Sequence, residues 1–324
     1  MTHPYDALSP DQIVHCVEAV GYRCDLRMIA LNSYENRVYQ VGIEDDTPLI
    51  VKFYRPGRWT DEQILEEHAF SLELVEHGLS VVAPTARDGQ TLHCVDGFRF
   101  SVFPRRGGYP PELDNMDHLL TLGRTLGRIH RVGASQTFTH RRQLSMTPMN
   151  ASSRDFLLQN VIPRGLHEAY STLAKDCEQT ALELFSTMEH EDFQRIHGDC
   201  HTGNILWRDD TPHFVDLDDC ISGPVVQDLW MFLNGERSQR ELQLAEIIAG
   251  YEDFNDFDPR QIRWIEALRT LRIMHHASWL ANRWDDPAFP RAFPWFGQER
   301  FWSDHILELR EQLGAMQEPV LRLL

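Results

Sequence analysis

Short apolar runs at strand spacing fill the first hundred residues, broken by two helical patterns. Residues 10–20 carry the first, with Pro10 and Asp11 suited to an opening turn. RMIALNSYENRVYQVGI (27–43) reads as two strands around a polar turn, with Val38 and Val41 on apolar positions of the second. Asp45-Asp46 makes a turn, and PLIVKFY (48–54) is a short β-rich run closed by Arg55-Pro56-Gly57. TDEQILEEHAFSLELVE (60–76) is a helix with acids in its first turn and Gly78 just past its end. ARDGQTLHCVDGFRFSVF (86–103) alternates in two runs joined at Asp96-Gly97, a strong hairpin signal.

PRRGGYPPEL (104–113) breaks the pattern and marks a hinge. Beyond it the apolar spacing turns helical, over 114–132, 152–160, 165–189, 226–233, 238–250, 258–284 and 299–315. Two stretches depart from that rule: IHGDCHTGNILW (196–207) and HFVDLDD (213–219), the latter a short strand ending in acids. The expectation is an α+β molecule with a small β-rich lobe, residues 1–104, and a larger helical lobe, residues 105–324. No internal repeat or low-complexity tract interrupts it.

Composition adds restrictions. The 324 residues can bury a substantial core, and 42% apolar with 25% charged residues is ordinary for a globular protein. A formal net charge of -18 argues against nucleic acid as a partner, because a sequence-independent grip needs clustered basic residues. The six cysteines form no C-x-x-C pair, MTHPYDALSP lacks a signal-peptide pattern, and no apolar run is long enough for a membrane span. A cytoplasmic protein with free thiols and no membrane partner is expected, with a monomer as the default. Of 31 basic residues only Lys52 and Lys175 are lysines. A lysine inside the apolar LIVKFY run raises the question of what needs a compact ammonium there.

Asp199 and Asn204 stand five residues apart on a loop, and Phe214-Val215 delivers Asp216 at a strand end about twelve residues later. Phosphoryl transfer from ATP uses such parts: a carboxylate that orients the acceptor hydroxyl and takes its proton, and an amide oxygen with a second carboxylate to hold Mg²⁺. The spacing matches the protein-kinase catalytic loop and metal-binding aspartate. Lys52 would contact the phosphates and pair with a glutamate of the following helix, Glu67 by its spacing to Gly78, with Glu66 the alternative. That pairing would also offset the cost of burying an ammonium.

HGDCHTGN followed by FVDLDD, and preceded by VKFY and a glutamate-bearing helix, resembles the aminoglycoside phosphotransferase and choline kinase branch of the protein-kinase-like fold. Within it, LNSYENRVYQ, VKFYRPGRWT, QILEEH, QDLWM and DPAFP resemble the bacterial serine/threonine protein kinases of stress response. The resemblance implies Asp199 as catalytic base, Asn204 and Asp216 as magnesium ligands, Lys52 and Glu67 at the nucleotide, and Ser33 facing the ATP phosphates. It implies a protein Ser/Thr acceptor, with autophosphorylation. The Gly-rich loop G-x-G-x-x-G is absent; side chains of Asn32, Ser33 and Asn36 would replace part of its backbone contacts. Leu217 follows Asp216, so switching of the Asp-Phe-Gly kind is not implied.

Other readings stay open at this point. A small-molecule kinase for an amino alcohol, sugar or aminoglycoside would use the same parts. His197, Asp199 and His201 have the H-x-D-x-H spacing of a metallohydrolase, and a non-catalytic nucleotide sensor would bind ATP without transfer. Otherwise the two histidines brace the loop, Cys200 packs as a small side chain, and Asp228 caps a helix, with support of the catalytic loop as the alternative. Asp218 and Asp219 read as an extension of the acidic strand end, and the tryptophans from 264 to 302 as helical packing.

Overall fold

Helix α1 (Pro10–Ala19) starts at Ser9, whose side chain accepts from the Gln12 backbone, and buries Ile13, Cys16 and Val17. Strands β1 (Cys24–Ala30), β2 (Arg37–Ile43), β3 (Leu49–Phe53), β4 (His93–Val95) and β5 (Phe98–Pro104) form one antiparallel sheet in the order β1-β2-β3-β5-β4. The β4–β5 turn has φ 51° at Asp96 and 83° at Gly97, the two left-handed residues of the expected hairpin. Helix α2 (Asp61–Glu76) is opened by a Thr60/Gln63 capping box. Strand alternation sends Val51 and Phe53 into the cluster beneath α1 and turns Lys52 to the other face of the sheet. The computed structural model describes residues 5–144 and 151–323; the first four residues of MTHPYDALSP lie outside it.

The C-terminal region is built of α3 (Met116–Gly133), α4 (Ala151–Asn160), α5 (His167–Phe185), α6 (Val226–Leu229), α7 (Arg237–Glu252), α8 (Ile265–Asn282), α9 (Ala288–Ala292) and α10 (Glu299–Gln317). Between α5 and α6 run β6 (Gln194–Ile196), paired with β9 (Ile221–Gly223), and β7 (Ile205–Arg208), paired with β8 (Thr211–Phe214). A β-rich N-terminal region and a helical C-terminal region therefore follow the hydrophobic pattern. The differences are local. The helix expected over 226–233 is four residues of α6 and a 3-10 turn, and the stretch 259–264 before α8 is also 3-10. Strands β6 and β9 were not expected, because three residues are too few to show a period.

The two regions are joined by backbone as well as side chains. The segment after α2 pairs with β8, Val82 donating to the Phe214 carbonyl at 2.9 Å and Phe214 to that of Ser80 at 2.8 Å. In the hinge, Tyr109 and Trp207 exchange backbone hydrogen bonds at 2.7 and 3.2 Å. Phe70, Leu74, Leu79 and Val81 extend the C-terminal core upward. These ties hold the β7–β8 hairpin, and the acids after it, beneath the face of the sheet that carries Lys52.

Candidate active site

The loop 196–204 is shaped from inside. Gly198 has φ +84°, and a Cβ there would lie 2.2 Å from the Asp219 carbonyl oxygen, so a side chain would collide with backbone. Asp228, fully buried in α6, accepts from the backbone N–H of His197 and of Gly198, each at 2.8 Å, and contacts His130 Nε2 at 3.0 Å. It caps nothing; the α6 N-cap is Val225 without a side-chain bond. Helix capping is thus corrected to bracing of the loop, for the fold brings a strand end to a helix residue thirty positions away. Asp228→Asn puts an amide N–H against one of those two donors. It should lower stability by about 1–3 kcal/mol, seen as a reduced urea midpoint at unchanged slope. An unmoved midpoint would remove the bracing role.

Within the loop, Asn204 Nδ2 donates to the Asp199 carbonyl at 2.9 Å, which turns Asn204 Oδ1 away and leaves it free to accept or ligate. The Asn204 carbonyl accepts from Val215 at 3.0 Å, and His197 Nε2 contacts the Val215 carbonyl at 3.0 Å. The histidines are therefore engaged in the loop itself: His201 Nδ1 accepts from the Gly203 N–H at 3.0 Å. Among the described residues no group of three or more His, Cys, Asp or Glu side chains is arranged to hold a metal, which leaves the H-x-D-x-H hydrolase reading without geometric support.

Asp199 Oδ1 is hydrogen bonded to Arg272 Nη1 of α8, and Oδ2 lies 3.6 Å from His201 Nε2. Burial raises the Asp199 carboxyl; Arg272 and His201 outweigh it and hold it below the usual range. Asp216 has φ 58° and ψ 63°, a left-handed conformation that is uncommon outside glycine, and its side chain is half exposed. Lys52 Nζ bonds Asp216 Oδ1 at 2.8 Å and lies 3.1 Å from Asp218 Oδ1. Burial alone would depress Lys52, but Asp216, Asp218 and Glu67 outweigh it and hold the ammonium well above the ordinary lysine range.

The expected Lys52–Glu67 ion pair does not form; among the described residues the ammonium's partners within 4.0 Å are Asp216 and Asp218. Asp218, 2% exposed, takes that place because the 3-10 turn 217–219 folds back under the sheet. Arg58 Nη1 at 2.5 Å and Asn36 Nδ2 at 3.2 Å hold its other oxygen, and Arg141 donates to its carbonyl. Burial raises the Asp218 carboxyl, but Lys52, Arg58 and Arg141 outweigh it and hold it well below the usual carboxylate range. Asn36 is buried, with Nδ2 donating to Asp218 and Oδ1 accepting from the Arg55 N–H, so both ends of its amide already hold the protein together. Ser33 Oγ donates to the Asn36 carbonyl at 3.2 Å, closing the turn. Glu66 faces elsewhere, accepting from the backbone of Thr139, His140 and Arg141 at 2.5–2.8 Å.

Glu67 remains beside this cluster, buried and without a hydrogen bond to Oε2. Burial and Asp218, against the pull of Lys52, push its carboxyl up to about 7. The folded state therefore holds this proton more tightly than the unfolded chain. The resulting stability is present below the ordinary glutamate range and is lost as pH rises through about 7. Glu67→Gln should accordingly gain thermal stability relative to the parent between pH 5 and pH 8. A difference in melting temperature that is flat across this window would contradict the assignment.

A buried lysine on a sheet, two acids from one strand end, and a loop with aspartate and asparagine five apart define a kinase-like phosphotransferase. The chain belongs to the phosphotransferase enzyme family, whose model matches residues 28–265. It is 45% identical to stress response kinase A of Escherichia coli K12 over 98% of this chain and 97% of that protein. It is 42% identical, over the same shares, to serine/threonine protein kinase RdoA of Salmonella typhimurium LT2. Among solved structures it resembles amicoumacin kinase hAmiN, bound to AMP-PNP, Ca²⁺ and Ami, with a TM-score of 0.76 at 20% identity over 96% and 95% of the chains. The microcompartment-associated aminopropanol kinase gives 0.74 at 18% identity over 96% and 99%. The protein is a kinase with a β-sheet N-terminal region and a helical C-terminal region.

Proposed function

We propose that this kinase transfers the γ-phosphoryl group of ATP to serine and threonine hydroxyls of proteins, itself included, in a stress-protective role in the cytoplasm. The observation that carries the catalytic reading is the Lys52–Asp216 bond, joining residues 164 positions apart directly beside the Asp199–Asn204 loop. The protein acceptor rests on relatives at 42–45% identity over nearly their whole length, against 18–20% for the antibiotic and amino-alcohol kinases.

Residues 1–104 form the nucleotide lobe in this reading and residues 105–324 the catalytic and substrate lobe. Asp199 orients the acceptor hydroxyl and accepts its proton. Asn204 Oδ1 and the half-exposed Asp216 carboxylate are the hard oxygen donors that Mg²⁺ favours, and among the described residues neither Asn204 Oδ1 nor Asp216 Oδ2 has a hydrogen-bond partner. When bound there, the cation neutralises charge on the phosphates. Lys52 steadies the phosphates, with Asp218 fixing it and Glu67 buried nearby; Ser33 lies in the turn between β1 and β2. Little covalent chemistry falls to the protein, so positioning and charge carry the rate.

The test is incubation of pure protein with γ-labelled ATP and Mg²⁺, alone and with a basic carrier protein, beside choline, homoserine and kanamycin. Label in phosphoserine or phosphothreonine is expected. Turnover of the small molecules with none in protein would replace this reading by a small-molecule kinase.

A further inference from the structure

Helix α8 presents one face to the active-site loops. Arg272, His275, His276, Trp279 and Arg283 recur at three- and four-residue spacing around that face. Trp279 Nε1 donates to Glu35 Oε2 at 2.6 Å, Arg283 Nη2 binds Glu35 Oε1 at 2.9 Å, and Arg272 reaches Asp199. His275 stands among Asp219, Arg272, Arg58 and Asp199. The upper half of this face is tied to the loop between β1 and β2. The lower end reaches Asp199 through Arg272, at the carboxylate assigned to the acceptor's proton.

Arg272 is the unusual member. Its side chain is 41% exposed, and among the described residues its hydrogen-bond and ion-pair partner is Asp199, through Nη1. Among the described residues Nε and Nη2 have no hydrogen-bond partner, although a guanidinium fork can receive a carboxylate or phosphate in two parallel bonds. The one bond it makes covers an oxygen of the group assigned to the acceptor's proton. In a chain of net charge -18, a cation aimed at this place runs against the prevailing field. An ammonium carried next to the acceptor hydroxyl would meet that cation, whereas an anion would relieve it.

We propose that Arg272 is the acceptor-recognition residue, binding a carboxylate or phosphate group adjacent to the acceptor hydroxyl and releasing Asp199 as it turns to that group. This deepens the protein-kinase reading and rests on it: the acceptor is a serine or threonine flanked by an acidic or already phosphorylated residue. Recognition and activation are coupled, since the anion that binds the fork removes the competitor from Asp199 Oδ1.

Peptides identical except for Glu, phosphoserine, Gln or Lys beside the acceptor serine test this. The wild-type protein should favour the Glu and phosphoserine peptides over the Lys peptide by about 10- to 100-fold in kcat/KM, with KM lowered by the anion contact and kcat raised by the release of Asp199. Arg272→Gln should level the series, and Arg272→Glu should reverse it. Melting temperature and ATP affinity confirm that each variant is folded, and the wild-type series stands without them. Which of the two anions is favoured separates a carboxylate from a phosphate source. Equal use of all peptides, or an Arg272→Gln variant that keeps the full preference, overturns the inference and leaves the protein-kinase reading intact. Label entering ethanolamine and no peptide overturns both, as does transfer to no acceptor at all.

Discussion

Asp199→Asn is expected to lower kcat for phosphoryl transfer by about 10²–10⁴-fold while ATP affinity stays near that of the parent. The carboxylate bonds Arg272 and, more distantly, His201, neither of which is assigned to the nucleotide. The substitution preserves shape and removes only the group able to take a proton. Its backbone carbonyl, which orients Asn204, is untouched. Steady-state turnover together with a nucleotide titration checks this. A loss under tenfold, or a loss matched by weaker ATP binding, would move the proton-accepting role elsewhere.

Lys52→Met is expected to be the most disruptive single change to the fold. Lys52 is 5% exposed and faces Asp216, Asp218 and Glu67. Without the ammonium, Asp218 keeps Arg58 as its ionic partner, and Glu67 loses the charge that opposes its protonation. Removing one partner of a buried pair costs about 3–5 kcal/mol when the charge left behind is uncompensated; with Arg58 still on Asp218, the loss here is expected near the lower end, about 3 kcal/mol. Urea unfolding should show that loss, and turnover should fall with it. Lys52→Arg should not restore activity, for a planar fork does not fit where a compact ammonium spans two carboxylates. Combining Lys52→Met with Asp218→Asn should cost less than the sum of the single changes, since the double variant no longer buries a carboxylate that has lost the ammonium. Strict additivity would show that the two side chains do not interact.

The order of elements was legible because it is written in local periodicity. The sheet, the Asp96-Gly97 hairpin and nearly every long helix follow from apolar spacing and turn residues within ten to twenty positions. Asp199, Asn204 and Asp216 could be selected for the same reason, as their spacing lies within one hairpin and its lead-in loop. Lys52 stood out through its apolar neighbours and the scarcity of lysine.

What escaped had no local signature. Arg272 is an ordinary polar residue on a helix, and Asp228 reads more readily as a cap than as a support of the loop; each acquires its partner only when another element arrives: the loop 197–198 for Asp228, Asp199 for Arg272. The FVDLDD run showed three acids without showing which would be buried. The choice between Glu67 and Asp218 for the ammonium was settled by a 3-10 turn and by Arg58, 160 residues away in the chain. Local sequence thus determined which elements form and which chemical groups are on hand, because backbone propensity and side-chain alternation act between near neighbours. The partners of each charge were decided by the tertiary structure. Burial removes water as a competitor, and the energy of a buried charge then depends on whichever groups the packed helices and strands bring within a few ångströms.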